Sequence, residues 1–408
     1  MAGDVYEQLM KIPPAQLFDL AWGGLNLQGE KVAKVIEGMQ GESVQRQLDF
    51  VVDAASIKRI YMVGCGDSYF AALSARHAFE QLTGLPTVAV ESMEFARYTL
   101  LVPDSLVIAI SSGGEVSMTL EAARVARRAG VNLVGITHGS TVHRKTVAQK
   151  DSSMASEFPC LVTTPGLSGS EYMDQAALML GNYSFSLAAL YLVALHIGQC
   201  RSHLDDGVVR KIEAEIDAIP NAIEEAMGYS TEIREYLEDV SDEADFFFLG
   251  AGPSYGVALF YQAKFFEQAQ RPVYGVQLEE FMHEQFFLLR RSEDAQVWFV
   301  VPPGMGQERT LEIMDGCREM DACVIAVTTS LNDEQVRENA DLTFSVKAVP
   351  EMLSPLVSVV PGEVLGICAF ARWGGGDSFI SNRRRQMAIG KHLTRESGNT
   401  RNAKRRMQ

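Results

Sequence analysis

The chain has 408 residues, 47% hydrophobic and 22% charged, which places it with soluble globular proteins of about two domains and excludes disordered or fibrous classes. Its 36 Lys and Arg against 52 Asp and Glu give a net charge of -16, which argues against a general nucleic-acid binder, since that needs a basic face to displace counterions. The charge is uneven: Arg383 to Gln408 holds nine Lys or Arg and one acid, Glu396, so the rest carries 27 bases and 51 acids, a net of -24.

In chain order, residues 5–55 have a helical pattern, and MAGDVYEQLM offers acids rather than the apolar run of a signal peptide. Arg59–Val63 reads as a strand, and Ser68–Thr83 as a helix that Gly84-Leu85-Pro86 ends. Thr87–Val90 and Leu106–Ile110 are further strands, Ser117–Ala129 a helix, and Leu133–Thr137 a strand. Ala176 to Gly198 carries no charge and is long enough to span a bilayer. It also holds Asn182, Tyr183, Ser184, Ser186 and His196 and lacks a basic flank before it, so a buried helix is expected. An acidic helical segment follows at 205–241, broken at Pro220-Asn221. The six cysteines (65, 160, 200, 317, 323, 368) form no Cys-x-x-Cys pair and read as reduced core residues of a cytosolic protein, so a cytoplasmic location is expected.

The chain repeats itself. At a shift of 186, Gly64, Gly66, Ser68, Tyr69 and Ala72 fall on Gly250, Gly252, Ser254, Tyr255 and Ala258, and Glu94-Phe95 on Glu280-Phe281. After a five-residue insertion, Gly113, Thr119-Leu120-Glu121 and Thr137 match Gly304, Thr310-Leu311-Glu312 and Thr328. Continuous apolar strands joined by crossover helices predict parallel sheets covered on both faces. The expected division is a helical segment 1–55, a first α/β unit 56–204, a helical linker 205–241, a second unit 242–372 and a basic tail 373–408 that is solvated.

In such sheets ligands bind beyond the carboxyl ends of the strands. Three loops of the first unit fit: Gly64-Cys65-Gly66-Asp67-Ser68, Ser111-Ser112-Gly113-Gly114-Glu115, and Thr163 to Ser170. Singly, each reads as a tight turn with a capped helix. Three hydroxyl-rich loops exceed what capping needs and point to a phosphate cradle at helix N-termini. Tyr69 breaks a GxGxxG pattern, and GxxxxGK[ST] is absent. In the second unit Pro302-Pro303-Gly304-Met305-Gly306 replaces the serine loop, so that unit is expected to do a different job. Glu267, among Phe265, Phe266 and Ala269, precedes His283 by sixteen residues. A buried carboxylate with a raised pKa beside an imidazole suits proton transfer near neutral pH. The plain alternative, a helix-surface Glu and a polar loop His, stands equally open. Glu280 is a rival base, although its counterpart Glu94 suggests a shared structural role. His138 and His143 lack a third ligand nearby and read as solvated loop histidines.

With GCGDS, ISSGGE and TTPGLSGS in place, the duplicated unit resembles the sugar isomerase (SIS) domain over most of residues 30–370. The resemblance implies an α/β fold of two tandem SIS domains, each a mostly parallel sheet flanked by helices in a flavodoxin-like three-layer sandwich. It implies that Gly66, Ser68, Ser111, Ser112 and Gly113, with Ser117, Thr119 and Ser168, bind the phosphate of a sugar phosphate. Gly113 and Val116 stand where the family carries Ser and Thr. The layout resembles the isomerase half of glucosamine-6-phosphate synthase, and more closely the deglycases of fructosamine 6-phosphates, through GAGPSYG at 250–256 and Glu280-Phe281-Met282-His283. Glu284-Gln285 departs from the Gly-Pro that follows there, and Lys404 is a faint echo of a Schiff-base lysine. The resemblance therefore implies a fructosamine 6-phosphate deglycase, with Glu267 moving the C1 proton and His283 assisting ring opening. The alternatives are a sugar-phosphate isomerase or aminosugar-6-phosphate deaminase, and a non-catalytic sensor. The chemistry requires no metal or organic cofactor. A homodimer or larger assembly is implied, with neither membrane nor nucleic acid as partner.

Overall fold

The computed structural model describes residues 13–51, 56–114, 116–138, 154, 160–164, 171–291, 294–329 and 333–374. Three helices open this part of the chain: α1 (Pro14–Asn26), α2 (Gln28–Gln40) and α3 (Glu42–Val51). The first unit runs β1 (Arg59–Gly64), α4 (Asp67–Thr83), β2 (Thr87–Glu91), α5 (Ser92–Tyr98), β3 (Ser105–Ile110), α6 (Ser117–Arg128), β4 (Asn132–His138) and β5 (Cys160–Thr164). Thr163 and Thr164 thus finish a strand rather than open a loop. The long helix α7 (Glu171–Cys200) follows, then α8 (Asp206–Asp217), α9 (Ile219–Ala226) and α10 (Ser230–Asp239). Pro220 sits in the first turn of α9, where its missing N–H costs nothing, and this sets the break in the acidic segment.

The second unit repeats the order with β6 (Asp245–Gly250), α11 (Ser254–Lys264), β7 (Tyr274–Gln277), α12 (Leu278–His283), β8 (Ala295–Val300), α13 (Gln307–Arg318), β9 (Cys323–Thr328), α14 (Glu334–Glu338) and β10 (Leu342–Ser345). Helix α15 (Pro355–Ala369) closes it. Each unit holds a five-stranded sheet, ordered β2-β1-β3-β4-β5 and β7-β6-β8-β9-β10, with every pairing parallel. The duplication extends to single hydrogen bonds. Glu91 caps α5 by accepting the N–H groups of Met93 and Glu94, and Gln277, at the 186 shift, caps α12 through Glu279 and Glu280.

Strands β1, β3, β4, β6, β8 and β9 are almost wholly buried, because helices cover both faces of each sheet. The largest apolar cluster is not confined to one unit: it joins Met62, Phe79 and Ile108 to Phe248, Trp298 and Val360 through α7, α4, α11 and α15. Gly256 of α11 lies so close to Phe70 and Ser74 of α4 that no side chain fits there. Ser74 Oγ donates to the carbonyl of Pro253 at 2.7 Å and accepts Tyr183 Oη–H at 2.7 Å, which ties both units to α7.

Two helical stretches, Gly181–Cys200 and Pro355–Gly374, are long and apolar enough to cross a membrane, and both are packed inside the fold, 89% and 83% buried. The first is the expected buried helix; Ser184 accepts from Gln28 at 2.9 Å, while the hydroxyls of Ser186 and Tyr191 are buried without a partner among the described residues. Two expectations need correction. His138 is not a solvated loop residue: it ends β4, packs edge-on against Phe185 at 5.6 Å, and burial pulls its imidazole down to about 4. Cys200 is exposed rather than in the core. His143, Lys404 and the basic tail beyond Gly374 lie outside the described residues.

Candidate functional site

In both sheets the strand order reverses beside the first strand of the unit, so crevices open beyond β1/β3 and beyond β6/β8. The loop after β1 needs its glycines. A side chain at Gly64 would collide with Ser68, and Gly66 holds φ 55 and ψ -131, a conformation that L side chains rarely adopt. Gly252 has the same positive φ in the second unit. Gly66 therefore launches α4 with its amino end at the crevice, and Ser68, 7% exposed, sits in the first turn.

The loop after β3 is pinned from below. Ser112 carbonyl accepts His138 N–H and Thr137 Oγ1–H, each at 3.2 Å, and Gly114 N–H donates to Ser111 carbonyl at 3.0 Å. Ser111 is 1% exposed, and its hydroxyl has no hydrogen-bond partner among the described residues. Ser112, Gly113 and Ser117 are half-buried at the same crevice. Apart from the chain neighbours, no described atom lies within 4 Å of where a Cβ would stand at Gly66 or Gly113. Thr119 is the exception, since its hydroxyl is turned onto Ser92 at 3.0 Å and faces the Cys65 thiol at 3.8 Å. Ser168 lies outside the described residues.

Glu267 enters this site through a residue that the sequence reading missed. Lys264, 1% exposed, donates to Glu267 Oε2 at 2.7 Å and to Asp67 Oδ2 at 2.9 Å, and its ammonium lies 4.8 Å from the Phe260 ring centre. Asp67 immediately precedes Ser68, so the ammonium joins the second unit's carboxylate to the first unit's loop. A π-helical turn, Phe265–Ala269, continues α11 and presents Glu267, which keeps 35% of its side chain open. Enclosure by protein raises the Glu267 carboxyl above its ordinary value; Lys264 opposes the rise and the charge of Asp67 adds to it. Burial alone would push Lys264 down, but the two carboxylates outweigh it and hold the ammonium above the lysine range. Glu363 of α15, fully buried and under the influence of both Lys264 and Asp67, is pushed well above the carboxylate range by burial.

A family model described as "SIS domain" matches residues 55–164 and 240–370, which cover the two sheets. The chain belongs to the SIS domain family. It carries two SIS domains and is related to glutamine–fructose-6-phosphate aminotransferases (isomerizing). The relative from Gloeobacter violaceus is 29% identical over 78% of this chain and 50% of its own length. That from Corynebacterium glutamicum is 27% identical over 90% of this chain and 55% of its own. This chain thus spans about half the length of the curated relatives it matches. Among solved structures, the C-terminal domain of glucosamine-fructose-6-phosphate aminotransferase from Francisella tularensis superposes with a TM-score of 0.72 at 22% identity, covering 87% of this chain and 96% of that one. Glucosamine-6-phosphate deaminase from Thermotoga maritima gives 0.63 at 19% identity over 89% and 97%. Tagatose-6-phosphate ketose/aldose isomerase from Escherichia coli gives 0.65 at 13% over 87% and 93%.

The second SIS domain has its own crevice, and there the chain fills it. Glu351 Oε2 accepts Met305 N–H at 3.3 Å, and a side chain at Gly304, the counterpart of Gly113, would run into the Glu351 carboxylate. What remains is a cavity of about 230 Å³ lined by Gly252, Pro253, Met305, Glu351 and, from α4, His77 and Gln81. Pro253, at the place of Asp67, also removes a backbone donor from the start of α11. The other proposed proton-transfer residues are less committed. His283 ends α12 with 70% of its side chain exposed, 3.8 Å from Glu279, and no contact among the described residues joins it to Glu267. Glu280 is exposed, with its N–H spent on the Gln277 cap. The signal for Lys264 was present in the repeat: at the 186 shift it falls on Ala78, just as Asp67 falls on Pro253.

Proposed function

We propose that this double-SIS protein is a sugar-phosphate isomerase-type enzyme that moves one proton between C1 and C2 of a phosphorylated ketose or aminosugar. The observation that carries the reading is the Asp67–Lys264–Glu267 bridge, which ties a carboxylate of the second domain to the loop of Ser68 in the first. Gly66, Ser68, Ser111, Ser112, Gly113 and Ser117 hold the phosphate dianion at the amino ends of α4 and α6. Glu267, ionised, takes the C1 proton of the open-chain ketose, and the electron pair shifts to make a C1–C2 enediolate with the charge on the former carbonyl oxygen. Lys264 keeps the carboxylate ionised and oriented, and its ammonium stabilises charge nearby. Glu267 then returns the proton to C2 while the C1 hydroxyl proton passes to the C2 oxygen, so that C1 becomes the carbonyl, C2 carries a hydroxyl, and an aldose phosphate is left.

If C1 carries an amine instead, the same shift followed by attack of water on the resulting imine gives deglycation. The names of the relatives (isomerizing aminotransferase, aminosugar deaminase, ketose/aldose isomerase) favour the isomerase and deaminase reading over the deglycase. GAGPSYG and the Glu280-to-His283 segment keep the deglycase as second reading. His283 assists ring opening, and its exposed position suits delivery across a contact between protomers of a homo-oligomer in the cytoplasm.

The test is turnover of fructose 6-phosphate, tagatose 6-phosphate, glucosamine 6-phosphate and fructosamine 6-phosphates, with proton exchange at C1 or C2 followed in deuterium oxide. Exchange in the wild type and its loss in Glu267→Gln, with ligand-induced thermal stabilisation retained, supports the assignment. Stabilisation by the same ligands without exchange in the wild type means a sensor, and full exchange in Glu267→Gln rejects Glu267 as the base.

A further inference from the structure

On the outside of the first domain, α3 and the carboxyl end of α7 bring three different ligand types to one point. His196 Nε2 is 3.0 Å from Asp49 Oδ1 and 3.5 Å from Cys200 Sγ, and Cys200 Sγ is 3.8 Å from Asp49 Oδ1. All three atoms lie within 4.8 Å of one another. His196 and Cys200 are four apart on one helix, so successive turns place them on the same face. His196 is 8% exposed and anchored in the fold, whereas Cys200 and Asp49 reach solvent.

From these positions we propose that Asp49, His196 and Cys200 form a divalent transition-metal site, for Zn²⁺ first, that staples α3 to the end of α7. Tetrahedral bonds of about 2.0–2.1 Å to nitrogen and oxygen and about 2.3 Å to sulfur set ligand spacings of about 3.4–3.6 Å. The observed triangle matches every edge to within about 0.4 Å. One thiolate, one imidazole and one carboxylate form a mixed soft and borderline set suited to Zn²⁺ rather than to Mg²⁺ or Ca²⁺, which want oxygen alone. The open side toward solvent leaves a fourth position for water. Ser68, Ser111 and the Lys264 bridge belong to other elements, so the metal here serves the fold and not the proton transfer.

The test uses the full chain, freed of metal by a chelator and titrated with Co²⁺. One equivalent should produce a thiolate-to-cobalt charge-transfer band in the near ultraviolet and tetrahedral d–d bands, displaced by Zn²⁺, with a rise in melting temperature. Cys200→Ser should abolish the charge-transfer band, while His196→Ala and Asp49→Asn should each weaken Zn²⁺ binding by more than about tenfold. No thiolate band in the wild type overturns the proposal, as does the same band in Cys200→Ser, which would place the metal at another cysteine. Asp49 is on the surface, so Asp49→Asn should fold even where His196→Ala does not, and unchanged Zn²⁺ affinity in it also overturns the proposal.

Discussion

Replacing Lys264 by Met removes the only ammonium shared by Asp67 and Glu267 among the described residues while keeping most of the buried stem. Removing one partner from a buried ion pair costs about 3–5 kcal/mol, because the remaining charge is left uncompensated. Lys264 is 1% exposed and Asp67 has 15% of its side chain open, but Glu267 keeps 35%, and water there screens part of the repulsion. The low end, about 3 kcal/mol, is therefore expected at pH 8. Losing the ammonium raises the Glu267 carboxyl further, and a carboxyl whose folded pKa lies above its unfolded value costs stability once pH passes the folded value. The deficit should thus shrink as pH falls and the Glu267 carboxyl takes up a proton. Urea midpoints of Lys264→Met from pH 5 to pH 8, followed by both tryptophan fluorescence and circular dichroism, measure this directly. Adding Asp67→Asn and Glu267→Gln should restore most of the loss, since amides leave no buried charge. A loss below about 1 kcal/mol, or no recovery in the triple variant, would refute the reasoning.

Three further outcomes concern the two crevices. The acid limb of kcat/KM in the wild type should lie above pH 4.5, activity rising with pH as the raised Glu267 carboxyl ionises; a limb at or below that value would contradict the enclosure of Glu267. Ser111→Ala should raise KM for a phosphorylated sugar by about tenfold, equivalent to about 1.4 kcal/mol, and leave the urea midpoint unchanged, because the hydroxyl has no partner among the described residues. Glu351→Ala should lower stability by about 1 kcal/mol through loss of the Met305 N–H acceptor and leave kcat unaltered; a large fall in kcat would place Glu351 in the catalytic machinery instead.

Four strands of the first unit were legible because each is a short apolar run, and the repeat carried the same architecture onto the second; β5 and α5 were not, since Thr163-Thr164 reads as the start of a hydroxyl-rich loop and α5 is only seven residues long. The long apolar stretch was readable as a core helix because Asn182, Ser184 and His196 would be costly against lipid. His138 was misread because a histidine followed by Gly139-Ser140 looks like the start of a loop, while its own ring packs on Phe185. Lys264 was invisible for a different reason: one cation in an aromatic helix is usually a surface residue, and its value depends on Asp67, 197 positions earlier. Reading the repeat for charges present in only one copy, rather than for identities, would have picked out both partners. His283 shows the opposite limit, since spacing from Glu267 along the chain says nothing about distance across it.

The apolar cluster that runs from β1 through α7 to α15 bears on how the two halves live apart. Tandem copies usually descend from a unit that once stood alone, but here each copy has surrendered part of its interior to the other. A polypeptide cut within 205–241 would expose Gly256, Tyr183 and the flank of α4 as a broad oily scar. Such fragments should clump when made singly and regain solubility only when produced together, so the ancestral module can no longer be recovered by scissors.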